Sequence, residues 1–343
     1  MKIAIVLFNL GGPDSPEAVQ PFLRNLFSDP AIISLPSFFR LPLARFISSR
    51  RAAKAQAIYA QIGGSSPILG QTEAQARALE EALGQEHEWR GYVCMRYWHP
   101  MTEAVVASVK RFAPDRIVLL PLYPQFSTTT TGSSVKAWKE AAAAVKLTVP
   151  TQTVCCYPDE EGFIAASVDL VKQGLAEVND RPTRVLFSAH GLPEKIIKAG
   201  DPYQAQVERT AKAIAERIGD LDWSVCYQSR VGPLKWIGPS TDAAIQQAGA
   251  DGKAVVLYPL AFVSEHSETL VELDIEYRHL SEKSGVPAYV RVPTVGTHPA
   301  FISGLADRVR AILAEPQVAI CHGAKSMPCS GIHVGCPLIA GAV

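Results

Sequence analysis

Short apolar runs separated by longer stretches of helical periodicity set the pattern of this chain. Ile3–Leu7, Tyr92–Met95, Ile117–Leu122, Val185–Ser188, Ser224–Tyr227 and Ala254–Leu257 are apolar without alternation, as parallel strands buried on both faces are. Thr151–Cys156 reads as a further strand. Between the runs, Thr72–Leu83, Glu103–Phe112, Gly162–Val178 and Gln204–Ile218 carry helical patterns. Strands alternating with helices predict an α/β fold with doubly wound parallel sheet.

The pattern also repeats. Val6-Leu7-Phe8-Asn9-Leu10-Gly11-Gly12-Pro13 echoes Val185-Leu186-Phe187-Ser188-Ala189-His190-Gly191-Leu192-Pro193, Val93-Cys94 echoes Val225-Cys226, and Val118–Leu122 echoes Val255–Leu260. Three echoes in one order predict two similar α/β lobes, with ligands at strand carboxyl ends. The expected division is a first lobe over residues 1–125, completed by helix 298–315, a second over 126–297, and a Cys-rich tail over 316–343. Pro30–Arg45 breaks the pattern. It is apolar, proline-studded and too irregular to predict a long helix, which is expected only over Ala44–Ile62.

Composition narrows the function classes. The chain has 343 residues, 48% apolar and 19% charged, with 33 basic and 33 acidic side chains. That suits a globular protein and leaves no surplus of positive charge for a nucleic-acid binder. Seven cysteines are too few for a disulfide scaffold and odd in number. The first apolar run meets Gly11-Gly12-Pro13 with no cleavage site, so it reads as a strand, not a signal peptide. No run approaches the ~18 apolar residues of a membrane span. The expected location is cytoplasmic, with thiols reduced or bound to metal.

The charges are unevenly distributed. Residues 30–72 carry Arg40, Arg45, Arg50, Arg51 and Lys54 and no acidic residue, beside bulky apolar side chains. Such a segment suits an anionic membrane surface or a flat ligand bearing carboxylates. Residues 264–283 carry six acidic side chains against two basic. There Glu265, His266 and Glu268 cluster just past a strand, and Glu272 and Glu276 follow at four-residue spacing opposite an apolar stripe of Leu270, Leu273, Tyr277 and Leu280. A solvated acidic face has the same spacing, but oxygen and imidazole donors at a strand end suit a labile divalent metal. His190 ends a strand before a Gly/Pro turn, where it serves either as a loop-satisfied histidine or as a near-neutral base. The hydroxyl-rich stretch Tyr123–Ser134 caps a helix or binds an anion at the helix start. No glycine spacing supports nucleotide binding.

Cys321, Cys329 and Cys336 share the tail with His322 and His333. A loop-rich segment with three thiols implies a metal centre: zinc with a histidine, or a [2Fe–2S] cluster with a fourth thiolate from Cys155-Cys156. Cys94 and Cys226 fall inside strands and read as structural.

Taken together these motifs resemble the ferrochelatases, which insert ferrous iron into a porphyrin. The resemblance runs over essentially the whole chain. It is carried by Leu10-Gly11-Gly12-Pro13, Ile62–Ile68, Arg96-Tyr97-Trp98-His99-Pro100, Tyr123–Ser134, Ser188–Pro193, Val231–Pro239 and Ser264–Tyr277. It implies two Rossmann-like lobes around a porphyrin cleft. It also implies catalytic His190 and Glu268 facing each other, and metal handling by these two with Glu265, His266, Glu272 and Glu276, on a helix with a π-type distortion. Porphyrin contacts are expected from Tyr59, Arg50, Arg51, Arg96, Tyr97, Tyr123, Ser127 and Trp236, beneath an apolar lip over residues 30–51. It implies porphyrin and Fe²⁺ as substrates, peripheral contact with the inner membrane, and allows a homodimer; the sequence itself sets no oligomeric state. One departure stands out. Many cluster-bearing relatives have a cysteine where this chain has Thr128, so the expected [2Fe–2S] ligands are Cys156 (or Cys155), Cys321, Cys329 and Cys336. Protoporphyrin is the expected ring. The alternatives are a coproporphyrin III ferrochelatase, another tetrapyrrole chelatase, and an iron–sulfur redox or sensor module.

Overall fold

The computed structural model describes residues 1–230 and 234–314, together with the backbone of the short strand 319–321. Its strands are β1 (Lys2–Leu10), β2 (Glu88–Arg96), β3 (Arg116–Pro121), β4 (Thr151–Cys156), β5 (Thr183–His190), β6 (Trp223–Gln228), β7 (Ala254–Pro259), β8 (Tyr289–Arg291) and β9 (Ala319–Cys321). They form two sheets, in the orders β2-β1-β3-β4-β9 and β6-β5-β7-β8. Every pairing is parallel.

The order 2-1-3-4 thus occurs twice, as the sequence echo predicts. β1 stands where β5 stands, β2 where β6 does, and β3 where β7 does. The echo extends to backbone detail. Gly11 N donates to Arg96 O at 2.7 Å and Gly191 N to Gln228 O at 2.9 Å, each tying the end of a central strand to its neighbour. A Cβ would lie 2.4 Å from that carbonyl at Gly11 and 2.8 Å at Gly191, so both positions need glycine.

The all-apolar strands are buried on both faces for a simple reason. Ile3, Ile5 and Leu7 point into a core shared with Phe163, Val207, Val256 and Phe301 from the second half. Ala4, Val6 and Phe8 point the other way, onto Val106 and Trp138. The inner core is continuous between the two sheets. The helix Pro299–Ala314 contributes Phe301, Leu305 and Val309 to it. β4 pairs with β3, so the first sheet draws a strand from beyond residue 125.

The lip differs from its sequence-based expectation. It is helical over Ser37–Ala60, with Pro42 inside. Pro42 lies only in the second turn, where it removes a single hydrogen bond, to Phe38 O, and the helix continues around it. Phe38 (80% exposed), Phe39, Leu41 and Phe46 project into solvent.

In both sheets the order reverses direction beside the central strand, between β1 and β3 and between β5 and β7. Ligands bind in α/β sheets at the carboxyl ends beside such a switch.

Candidate functional site

At the second switch His190 ends β5, and its Nδ1 lies 2.9 Å from Glu268 Oε2. The imidazole keeps 39% of its side-chain exposure, so it is reachable from solvent. Glu268 opens the segment Glu268–Glu276, which is wound wider than an α-helix: Tyr277 N donates to Glu272 O, an i→i+5 bond. The distortion expected from the resemblance is therefore present.

Ser229 joins the two carboxylates. It sits just past β6 in the left-handed region, at φ +59°, which serine adopts at a cost. Its Oγ lies 3.1 Å from Glu268 Oε2 and also touches Glu272 Oε2, while its N donates to Glu272 Oε1 at 2.8 Å. A hydroxyl has one proton to donate, so two ionised carboxylates cannot both be satisfied by it. Glu272 is the one that binds a proton more readily. Burial and the charge of Glu268 push it up to about 7. Burial would also raise Glu268, but the facing His190 outweighs it and holds Glu268 well below the usual carboxylate range. His190 is raised correspondingly: desolvation opposes its charge, and Glu268 overcomes it. Tyr277 Oη donates to Glu272 Oε1 at 3.2 Å. Glu276, at the segment's end, is exposed.

The other metal candidates fall into different settings. His266 is buried against Phe262, at 4.6 Å between rings. Its Nδ1 lies 3.3 Å from Ser264 O, and its buried Nε2 has no partner. Burial holds its pKa down, so the ring is neutral. Glu265 is engaged in an ion pair: Arg291 Nη1 lies 2.6 Å from Oε1, which also accepts from Thr294 N at 2.9 Å. Among the described residues, no three His, Cys, Asp or Glu side chains gather as a metal cage.

On the first-lobe side, Arg96 and Tyr97 converge on Asp29. Asp29 Oδ2 accepts from Arg96 Nη2 at 2.6 Å, Tyr97 Oη at 2.9 Å and Ser133 Oγ at 2.6 Å. Burial would raise Asp29, but Ser133, the Ala31 N–H and Arg96 hold it below its ordinary value. Tyr123 is half-buried, and desolvation raises its phenol so that it stays neutral. Tyr59, buried near the end of the lip helix, is pushed up to about 12 by burial, and Ser267 Oγ donates to its Oη at 3.3 Å. Ser127 caps the turn Thr128–Gly132 and donates to Asp201 Oδ2 at 3.0 Å; Thr128 donates to the same oxygen. Trp236 lies over Gly191, beside His190. Arg50 and Arg51 are exposed, laid over the rings of Phe46 and Phe27.

Sequence reasoning missed Ser229, Asp29 and Asp201. Asp29 had a faint signal, as the last acid before a long basic, apolar segment.

Cys155 and Cys156 are buried at the end of β4, and Cys156 stands in register with Cys321 of β9. Cys329 and Cys336 lie outside the described residues, as do His322 and His333. Cys94 and Cys226 are buried, and burial pushes both thiols up to about 12, which suits structural positions. Among the described residues, no helix is long and apolar enough to cross a membrane.

Comparison with known proteins identifies the family. The Ferrochelatase family model matches residues 2–313. A ferrochelatase of Caulobacter vibrioides is 53% identical over 347 residues, covering 99% of each chain. One of Phenylobacterium zucineum is 55% identical over 313 residues, covering 90% of each. Among solved structures, SirB from Bacillus subtilis with Fe³⁺ aligns with a TM-score of 0.52 at 16% identity, over 92% of this chain and 96% of that one. At that identity the likeness is one of fold, and the fold is the two-lobed one described above. With the family model spanning nearly the whole chain and relatives above half identical, the chain belongs to the ferrochelatase family.

Proposed function

We infer that this chain is a ferrochelatase, a lyase that inserts Fe²⁺ into protoporphyrin to form haem. The observation that carries the inference is the His190–Glu268 pair at a strand-order switch, reachable from solvent. Metallation removes two pyrrole N–H protons and replaces the water around Fe²⁺ with four nitrogens. It therefore needs a base near neutrality and donors that release the metal. His190, its basicity increased by Glu268, takes the pyrrole protons. Glu268, Ser229 and Glu272 form a hydrogen-bonded line away from it, along which a proton passes to a carboxylate that titrates near neutrality. Iron is handled transiently by Glu268 and the bare Nε2 of neutral His266, with Glu272 and the exposed Glu276 beyond. A pair of donors, not a closed cage, suits a metal that must leave.

Arg96, Tyr97, Tyr123, Tyr59, Ser127 and Trp236 border the porphyrin, with Arg50 and Arg51 near its carboxylates. The exposed apolar side chains of the lip favour protoporphyrin over the more acidic coproporphyrin. With the neighbouring arginines they also favour peripheral contact with an anionic membrane. Co-sedimentation with vesicles containing anionic lipid, lost on Phe38→Ser with Phe46→Ser, tests that contact.

A [2Fe–2S] cluster is the further proposal. Paired parallel strands lie about 4.8 Å apart, so Cys156 and Cys321 start from neighbouring backbone positions. Gln206 Nε2 lies 3.5 Å from Cys156 Sγ, a donor suited to a thiolate. With Cys329 and Cys336 they would supply four thiolates, and the cluster's chemistry is electron exchange. An anaerobic preparation without iron–sulfur absorption overturns it.

Anaerobic incubation with Fe²⁺ and protoporphyrin, coproporphyrin or sirohydrochlorin, followed by absorption, tests the function. Fastest metallation of protoporphyrin is expected. Metallation of none of the three refutes the assignment.

A further inference from the structure

The metal-handling segment hangs between the two lobes. Gln71, Thr72 and Gln75 share one face of the first-lobe helix Ile68–Leu83. Gln75 is wholly buried, where an amide is costly unless its hydrogen bonds are made. Each hydrogen bond of its side chain crosses to the other half of the chain. Its Nε2 donates to Val263 O at 2.7 Å and to Gly296 O at 2.9 Å, and its Oε1 accepts from Ser264 Oγ at 3.0 Å. Beside it, Gln71 Oε1 accepts from Glu265 N at 2.7 Å, and Asn9 Nδ2 donates to Thr72 Oγ1 and Ser264 Oγ.

The seam ends at the chemistry. Ser264 O accepts the Nδ1–H of His266, which fixes the tautomer and leaves Nε2 bare. His266 N then donates to Thr269 Oγ1 at 2.9 Å, and Leu270 N to His266 O, so the turn carrying Glu268 is built on the same residue. Glu265, expected from sequence as a metal donor, is bound at its amide by Gln71 and at its carboxylate by Arg291 and Thr294.

We propose that Gln75 is the positioning residue that registers the first lobe against the segment Val263–Glu268, and thereby aims His266 Nε2 and Glu268 at the metal. Glu265 acts with it as an anchor of that segment, through its amide and Oε1. The proposal rests on the ferrochelatase reading above.

The test compares the full-length wild type with Gln75→Leu, which fills similar volume and removes all three bonds. Gln71→Ala serves if Gln75→Leu does not fold, and is judged by the same criteria. Ser167→Ala is the control: it removes equally buried bonds, to Tyr258 Oη and Phe163 O, outside the seam. Measured are kcat with Fe²⁺, porphyrin affinity by fluorescence quenching, and Tm. A small misplacement of catalytic groups costs far more in rate than in binding, so Gln75→Leu should lose about ten-fold or more in kcat and keep wild-type porphyrin affinity. Ser167→Ala should keep kcat despite a comparable loss of Tm. The proposal is overturned if Gln75→Leu turns over within about two-fold of wild type, if its porphyrin affinity falls in step with kcat, or if kcat follows Tm equally in both variants. Absence of metallation by the wild type overturns the assigned function and this proposal together.

Discussion

Replacing Glu272 by Gln removes an ionisable group while imitating its protonated form. The Gln amide can donate to Ser229 Oγ, and its carbonyl can accept from Ser229 N and Tyr277 Oη, as the neutral carboxyl does. Burial and the Glu268 charge raise Glu272 from 4.5 to about 7 in the fold. Between those values the folded state binds a proton that the unfolded state has released, so stability falls as pH rises. Two and a half pH units correspond to about 3 kcal/mol, and solvent at the half-buried side chain reduces this to about 2–3 kcal/mol. The difference in unfolding free energy, wild type minus Glu272→Gln, should therefore decline by about that amount from pH 4 to pH 8. Urea denaturation of metal-free protein at half-unit steps reads it, because contributions from groups that do not interact with Glu272 cancel in the difference. Parallel curves over this range, or a wild type that gains on the variant as pH rises, would refute the proton assignment between Glu268 and Glu272.

Other perturbations probe the cleft from different sides. His190→Ala should abolish iron insertion and leave porphyrin binding by fluorescence quenching near the wild-type value; turnover like that of wild type would remove His190 as the base. Asp29→Ala leaves the Arg96 guanidinium without its counter-charge and two hydroxyls without their acceptor, and should cost about 3–5 kcal/mol in urea denaturation. A loss below about 1 kcal/mol would show the cluster to be solvated. Gly11→Ala drives a methyl group into Arg96 O and should lower Tm or prevent folding, whereas Gly63→Ala meets no atom within 4 Å and is penalised only by its φ of +88°. Equal Tm loss in the two would contradict the close approach at Gly11.

How much of this was legible in the sequence depends on how far each side chain's partners lie along the chain. The strands were visible because burial on both faces leaves an uninterrupted apolar run, a purely local mark. His190 was visible because it follows such a run almost at once, and Glu268 because it opens a row of glutamates at four-residue spacing in the segment after another; strand ends are where this architecture binds ligands. Gln75, Asp29 and Ser229 carry no such mark. Gln75 looks like any polar helix position, and its partners lie 188 to 221 residues away. Asp29 is polar between helical segments, where solvation is the ordinary expectation, yet it meets Arg96 and Ser133, 67 and 104 residues on. Ser229 requires a left-handed backbone that nothing in Gln228-Ser229-Arg230 demands. The lip misled for the opposite reason. Its prolines suggested irregular chain, but a proline near a helix start costs one hydrogen bond and leaves the later turns intact. Apolar periodicity thus locates the walls of the cleft and the ends of its strands. The orientation of the reacting groups is set by polar side chains whose partners lie far along the chain, and such pairings leave no period in either segment.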